Sequence, residues 1–484
     1  MKNIKYIILI AIGFSAVSCD DFLNPTPDTV IVSETYFKSD ADLQTGIIGI
    51  YDAIQGVNEN TVTNDARVNR GVILEYLLTE HRSDNTRSQT VEGSRADFHR
   101  YLVDANNIQS EDYYASMYQV IFRANNIMTF MDVANPENVA KYTGEAKFLR
   151  AYAYFNLVRL FGDVPLVTEV VLGSDKEALF TRIYKEIIYA QIVQDLQEAV
   201  NTLDNRYKGR ASKAAAQALL AKVYMTKQDK DYAAAKLLCE DLIATNEFQL
   251  QTNFYDVFYT ELNSEIIFAI QYAFGVETES QSFSAEFTST LRQGRQDGLN
   301  MVNQNLIDDF ASSGGTRTAV SFVTIASSGR SEVAKFLPQG SNVTTVPPTY
   351  GSNPQNAGND WIVLRYADVL LMHVEATIAG GTATSDAAAL ASFNKVKDRA
   401  FPTTAPNNIT NVTKNQLLLE RRVELAFENH RFFDLVRFGV ADNVLSAHAA
   451  TMNYPDYSGR ALLLPIPARE INLSGGLLSQ NPGY

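Results

Sequence analysis

Residues 210–248, RASKAAAQALLAKVYMTKQDKDYAAAKLLCEDLIATNEF, restrict the fold of this chain more than any other stretch. The pattern reads as helix, short polar turn, helix. Ala218, Leu219, Ala221 and Tyr224, then Tyr232, Ala235 and Leu238, alternate small and bulky residues at helical spacing. Small residues let a second helix approach closely, and bulky ones fill the groove it leaves. RYADVLLMHVEATIAGG with DAAALASFNKVKDRA, 365–400, repeats the design. A hairpin of this kind cannot bury its outer face alone, so each pair requires a neighbour.

Further helices follow from caps and periodicity. Ser39 is placed to cap a helix whose Leu43, Ile47, Ile50 and Ile54 form one stripe. Residues 111–133 read as a second helix and 144–167 as a third, with Phe148, Leu149, Tyr152, Phe155 and Val158 on one face and Gly162 and Pro165 as its stop. Another is expected at about 181–204. The sum is a mainly α chain with about four hairpins of tetratricopeptide (TPR) type, at about 40–133 with a long insertion, 144–204, 210–245 and 363–400. Their irregular spacing argues against a simple solenoid. Residues 57–107 and 248–362 are polar and loop-rich, with a few short extended runs such as EIIFAIQYAF. Binding residues concentrate on loops of this kind, held by a rigid scaffold.

Charge excludes one class of function and chemistry others. With 41 basic against 55 acidic side chains the formal net charge is −14, the wrong sign for nucleic acid. His81, His99, His373, His430 and His448 make no zinc spacing, and GxSxG, Walker A and GxGxxG patterns are absent from the sequence. No cofactor and no metal are expected. Asp308-Asp309 supplies two carboxylates where Ca²⁺ takes six or more oxygens. Residues 417–438 crowd together Glu420, Arg421, Arg422, Glu424, Glu428, Arg431, Asp434 and Arg437. Glu420, Glu424 and Glu428 fall at i, i+4 and i+8 and read as one helix face, neutralised by the arginines of the same block. The competing reading is a surface hydrolase working through Glu424 and Glu428. The ion-pair network is the expectation, and the chain is not expected to be an enzyme.

The N-terminus carries an address. Lys2 and Lys5 precede an apolar run, Tyr6 to Val17, of about 12 residues, where a membrane-spanning helix needs roughly 20. Small residues then lead to Cys19, which reads as a secretory leader over 1–18. Ala16-Val17-Ser18-Cys19 resembles a bacterial lipobox, in which the cysteine takes the lipid; the plain alternative is an ordinary leader. Acyl chains contribute about 0.8 kcal/mol per buried CH₂, so a multiply acylated Cys19 holds to a membrane. Asp20-Asp21 and NPTPD suit a solvated tether over 19–38. Without the leader the chain keeps 39 basic and 55 acidic side chains, a net −16. Cys239, the other cysteine, lies in an apolar helical pattern and reads as a packed thiol.

CDDFL, YQVIFRANNIM, GEAKFLRAYAYFNLVRLFGDVPLV, RASKAAAQALLAKVYM, LRYADVLLMHVEA, LLLERRVELAFENHRFFDLVRFG and LLLPIPAREINLSGGLLSQNPGY occur in this order from end to end. Together they make the chain resemble the SusD-like (RagB) outer-membrane lipoproteins of Bacteroidetes. The last block departs slightly, since the family usually has Asn near Ser474-Gly475. The resemblance implies TPR pairs under a loop-rich top, in an N-terminal region over 39–247 and a C-terminal region over 248–484. It implies a non-enzymatic lipoprotein on the outer face of the outer membrane. Such a protein captures a nutrient, usually a glycan, and passes it to a SusC-like TonB-dependent transporter. It further implies that Cys19 is the lipid anchor and that Asp20-Asp21 mark the chain for the surface. Some relatives bind peptides instead.

Ligand contacts are sought in the two loop regions. A sugar offers a C–H face and a hydroxyl rim, complementary to an aromatic plate flanked by polar groups. In 80–101 the candidates are His81, Arg82, Asp84, Asn85, Arg87, Phe98 and Tyr101; in 271–298 they are Tyr272, Phe274, Phe283, Phe287 and Arg292; Tyr350 is a third loop aromatic. The region 80–101 is also where the resemblance implies ligand contacts. The chain has a single tryptophan, Trp361, so Tyr and Phe must supply any platform.

Overall fold

The structure is a computed structural model that describes residues 36–58, 69–206, 208–288, 299–326, 328–338, 340–342, 349, 351, 355–454 and 457–484. Eight long helices form four pairs: α1 (Asp40–Gln55) with α2 (Ile108–Thr129), α3 (Pro136–Phe161) with α4 (Lys185–Thr202), α5 (Lys213–Thr226) with α6 (Tyr232–Ala244), and α7 (Tyr366–Ile378) with α8 (Ala387–Ala400). The fold is mainly α and TPR-like.

Short polar residues set the helix starts. Ser39, Ser212, Asp231 and Asp386 each accept a hydrogen bond from a first-turn backbone N–H. The third helix begins earlier than its apolar face suggests, because Asn135 and Pro136 start it with proline in the first turn. Gly162 ends it at φ 74°.

Each helix packs on the next from α1 to α8, and α6 meets α7 although the whole loop-rich segment separates them in sequence. The stack is therefore continuous in space, contrary to what the irregular spacing suggests; the insertion loops out and leaves the array intact. Buried charges cross-link it. Arg150 on α3 grips Asp195 on α4 through two hydrogen bonds of 2.7 and 2.8 Å and donates to Asn125 on α2 at 2.9 Å. Lys222 on α5 reaches Asp368 on α7 at 2.7 Å. Cys239 is buried, and burial pushes its thiol pKa up.

Two small sheets organise the loops. Ile266–Ile270 pairs antiparallel with Trp361–Arg365, which runs directly into α7. A second sheet takes Thr86–Arg87 from the first loop region and pairs it with Met301–Val302 from the second, followed by Arg330–Val333 and Phe322–Ile325. Segments more than 200 residues apart in sequence thereby share one side of the molecule. Among the described residues no helix is long and apolar enough to cross a membrane.

Candidate functional site

Residues 80–101 are not an open loop. They fold as a 3₁₀ turn (Glu80–Arg82), the Thr86–Arg87 strand and a short helix (Asp97–Arg100), and most of their side chains are buried. Arg82 lies 4.2 Å above the Phe432 ring and donates to the Ala461 carbonyl at 2.6 Å. Asp84 pairs with Arg431 at 2.8 Å and Arg422 at 2.9 Å; against the cost of burial, these two guanidiniums hold its carboxyl below the ordinary range. Asn85 donates to Glu80 at 3.0 Å and accepts from Arg422 at 2.9 Å. Phe98 is fully buried, and Tyr101 packs edge-on to Tyr457. His81 and His99 are buried beside each other, with His448 and Tyr454 around them. Burial pushes the His99 pKa down to about 3. His81, Arg82, Asp84, Asn85, Phe98 and Tyr101 are thus buried in the packing and are not displayed on the open loop that the sequence reading expects. Their partners, Arg422, Arg431, Phe432, Tyr457 and Ala461, lie more than 330 residues along the chain, which is why the local sequence reads as a polar surface loop.

The second region divides the same way. Tyr272 donates to the Gln55 carbonyl at 2.8 Å. Phe283 and Phe287 join a buried aromatic cluster with Tyr76, Phe336 and Trp361. Trp361 is therefore part of the packing. Arg292 and Tyr350 lie outside the described residues, as does Cys19. Asp309 is taken by Arg422 and Asp308 by Gln304. Among the described residues no group of three His, Cys, Asp or Glu side chains is placed to hold a metal ion.

Two candidates stay accessible. Arg87 is half-buried on the edge of the four-stranded sheet. Phe274 is 43% exposed on a turn that is pinned from several sides. The Ala273 N–H donates to the Glu279 carbonyl at 2.7 Å and the Gly275 N–H to the Asn356 carbonyl at 3.1 Å. Gln281 bridges Ala357, and the Asn58 amide reaches Ser280, the Gln355 carbonyl and Asn356 at 2.9–3.2 Å. Gly358 permits the contact, because a Cβ there would fall 2.4 Å from the Phe274 nitrogen. Segment 355–360 thus fixes an apolar ring at the surface among amides and hydroxyls.

Two family models match the chain: one described as the SusD family over residues 321–484, and one described as starch-binding associating with outer membrane over residues 21–225. SusD-like protein P2 of Formosa agariphila is 27% identical with both chains covered in full. This chain is a SusD-like protein. Solved structures agree. A laminarin-binding SusD-like protein superposes with TM-score 0.74 at 26% identity, over 93% of this chain and 100% of that one. A SusD superfamily protein from Parabacteroides distasonis gives TM-score 0.74 at 25% identity, over 94% and 100%.

In this SusD-like protein the charged block is a buried lattice. The helix carrying Glu420, α9 (Lys414–Glu424), ends at Glu424, and Glu428 follows on a turn with Phe427 and Asn429 at positive φ, so the three glutamates do not line one helix face. Their partners also come from elsewhere. Arg317 bonds Glu420 at 2.6 Å and Glu424 at 2.8 Å. Arg365 bonds Glu265, Glu424 and Glu428 at 2.6–2.8 Å. Arg399 joins Glu265 to Glu424, and Lys335 meets Glu428 at 2.7 Å. The block's own arginines pair with other acids, Asp434 inside the block and two beyond it: Arg421 with Asp368 and Asp434, Arg437 with Glu375 and Asp434. Although burial acts the other way, Arg399, Arg365 and Arg317 hold the Glu424 carboxyl well below the usual range, which leaves it no proton to donate near neutrality.

Proposed function

We propose that this SusD-like protein is a surface-exposed lipoprotein of the outer membrane that captures a glycan and delivers it to a SusC-like TonB-dependent transporter. The observation that carries this reading is the end-to-end likeness to a laminarin-binding SusD-like structure. Phe274 and Arg87 are the side chains from the sequence candidates that a sugar meets first; the buried residues of 80–101 hold the strand that carries Arg87. Cys19 anchors the chain through its lipid, and Asp20-Asp21 direct it outward. Titration calorimetry of the mature chain against laminarihexaose, a xyloglucan oligosaccharide and maltohexaose tests the capture step. The reading expects saturable binding of at least one, weakened in Phe274→Ala with the melting temperature unchanged. Binding of peptides with none of the three sugars would overturn it.

A further inference from the structure

The segment Phe254-Tyr255-Asp256-Val257-Phe258-Tyr259 is a single tight turn with two aromatic faces. Phe254 and Phe258 point inward and are buried. They lie against the ionic lattice: Lys335 sits 5.1 and 4.6 Å from their ring centres, and Arg399 sits 5.1 Å from that of Phe254. Contacts of this kind between cations and ring faces hold the turn to the buried ion-pair lattice. Tyr255 and Tyr259 point the other way. Their rings stack at 4.1 Å between centres and 7° between planes. Tyr259 is locked by its hydroxyl, which donates to the Ala334 carbonyl at 2.9 Å and accepts from the Leu337 N–H at 3.1 Å. One face of Tyr255 is therefore covered by Tyr259. Tyr255 itself is 47% exposed, so the part of its side chain that Tyr259 does not cover meets solvent. Thr252, Asn253, Thr260 and Glu261 are exposed on either side of it in sequence.

We infer that Tyr255 is a carbohydrate-stacking platform, separate from Phe274. A flat ring, held still and flanked by hydroxyl, amide and carboxylate groups, matches the C–H face and hydroxyl rim of a pyranose. Prior ordering matters because a platform already fixed costs little entropy on binding. The connection to the Phe274 turn is short. Leu337, which donates to Tyr259, accepts from the Asn359 amide at 3.1 Å, and the neighbouring Gly358 packs on the Phe274 backbone. Two exposed aromatic residues thus lean on the two ends of one bonded strip, an arrangement suited to gripping a polymer at more than one sugar. The inference rests on the glycan reading above.

The test uses the mature chain, calorimetry with the same three oligosaccharides, and the variants Tyr255→Ala, Tyr255→Trp and Phe274→Ala. For whichever sugar the wild type binds, Tyr255→Ala is expected to weaken affinity about five- to tenfold, the scale of one lost aromatic contact. Tyr255→Trp should keep it, and both variants should melt as the wild type does. Unchanged affinity in Tyr255→Ala, with a loss in Phe274→Ala, overturns the platform and leaves the glycan reading standing. Unchanged sugar affinity with lost co-purification of the transporter reassigns Tyr255 to a protein contact and also overturns it. If the wild type binds none of the three sugars, the glycan reading itself fails and the platform with it.

Discussion

Glu424 touches Arg317, Arg365 and Arg399 at once, with no measurable exposure. Removing it leaves three buried guanidiniums with one carboxylate fewer, Arg317 keeping Glu420, Arg399 keeping Glu265 and Arg365 keeping Glu265 and Glu428. Glu424→Ala is expected to cost about 3–5 kcal/mol in denaturant unfolding. Acid acts on the same residues. The Glu424 and Asp434 carboxyls have folded pKa values below their unfolded ones, Asp434 at about 2, so the stability they contribute is complete above about pH 5 and fades as pH falls further. Asp360 works in the opposite sense. Burial pushes its pKa up to about 7, while its carboxylate accepts from the Tyr272 N–H at 3.1 Å. Between about pH 4 and 7 the folded chain holds a proton the unfolded chain has released, so stability falls as pH rises through that window. Asp360→Asn keeps the acceptor without the charge. Its melting temperature relative to wild type should rise from pH 5 to pH 8, and a constant difference would refute the assignment. At this scale the sequence was least legible. Charged and aromatic residues look alike whether they lie at the surface or against a distant partner, and only the fold tells the buried Asp84 and Phe98 from the accessible Arg87 and Phe274. The stacked pair Tyr255–Tyr259 did carry a signal, the i, i+4 repeat of FYDVFY, but it lies in a four-residue helix too short to register as one.

Helices were the legible elements, because their apolar stripes and caps are local. Ser39, Gly162 and the turn near 227–231 stand where composition puts them. What periodicity did not reveal was which helix meets which, since α6 and α7 join across the entire insertion. The exit from α1 shows how tightly such joints are made. Gly71 has φ 49°, and a Cβ on it would fall 2.1 Å from the Ile54 carbonyl oxygen. Gly71→Ala combines a left-handed backbone with a collision against main chain. Together these should destabilise by more than about 1 kcal/mol, measurable as an earlier unfolding midpoint. On α9, Thr413 and Gln416 form a reciprocal capping box. Thr413→Ala should cost about 1 kcal/mol by the same measurement.

For the whole molecule the decisive expectation concerns attachment. If Cys19 carries the lipid, Cys19→Ser leaves the chain out of the membrane fraction and abolishes labelled palmitate incorporation; retention of both would exclude the anchor. The Asp84–Arg431 pair has a further consequence. Its two members are 347 residues apart, and the lattice joins Glu265 to Arg365 and Arg399 over 100 and 134 residues. A ribosome delivers Asp84 long before Arg431. Until the later segment emerges, the Asp84 carboxylate lacks both guanidinium partners, so this part of the core closes only after the helices between them have been made.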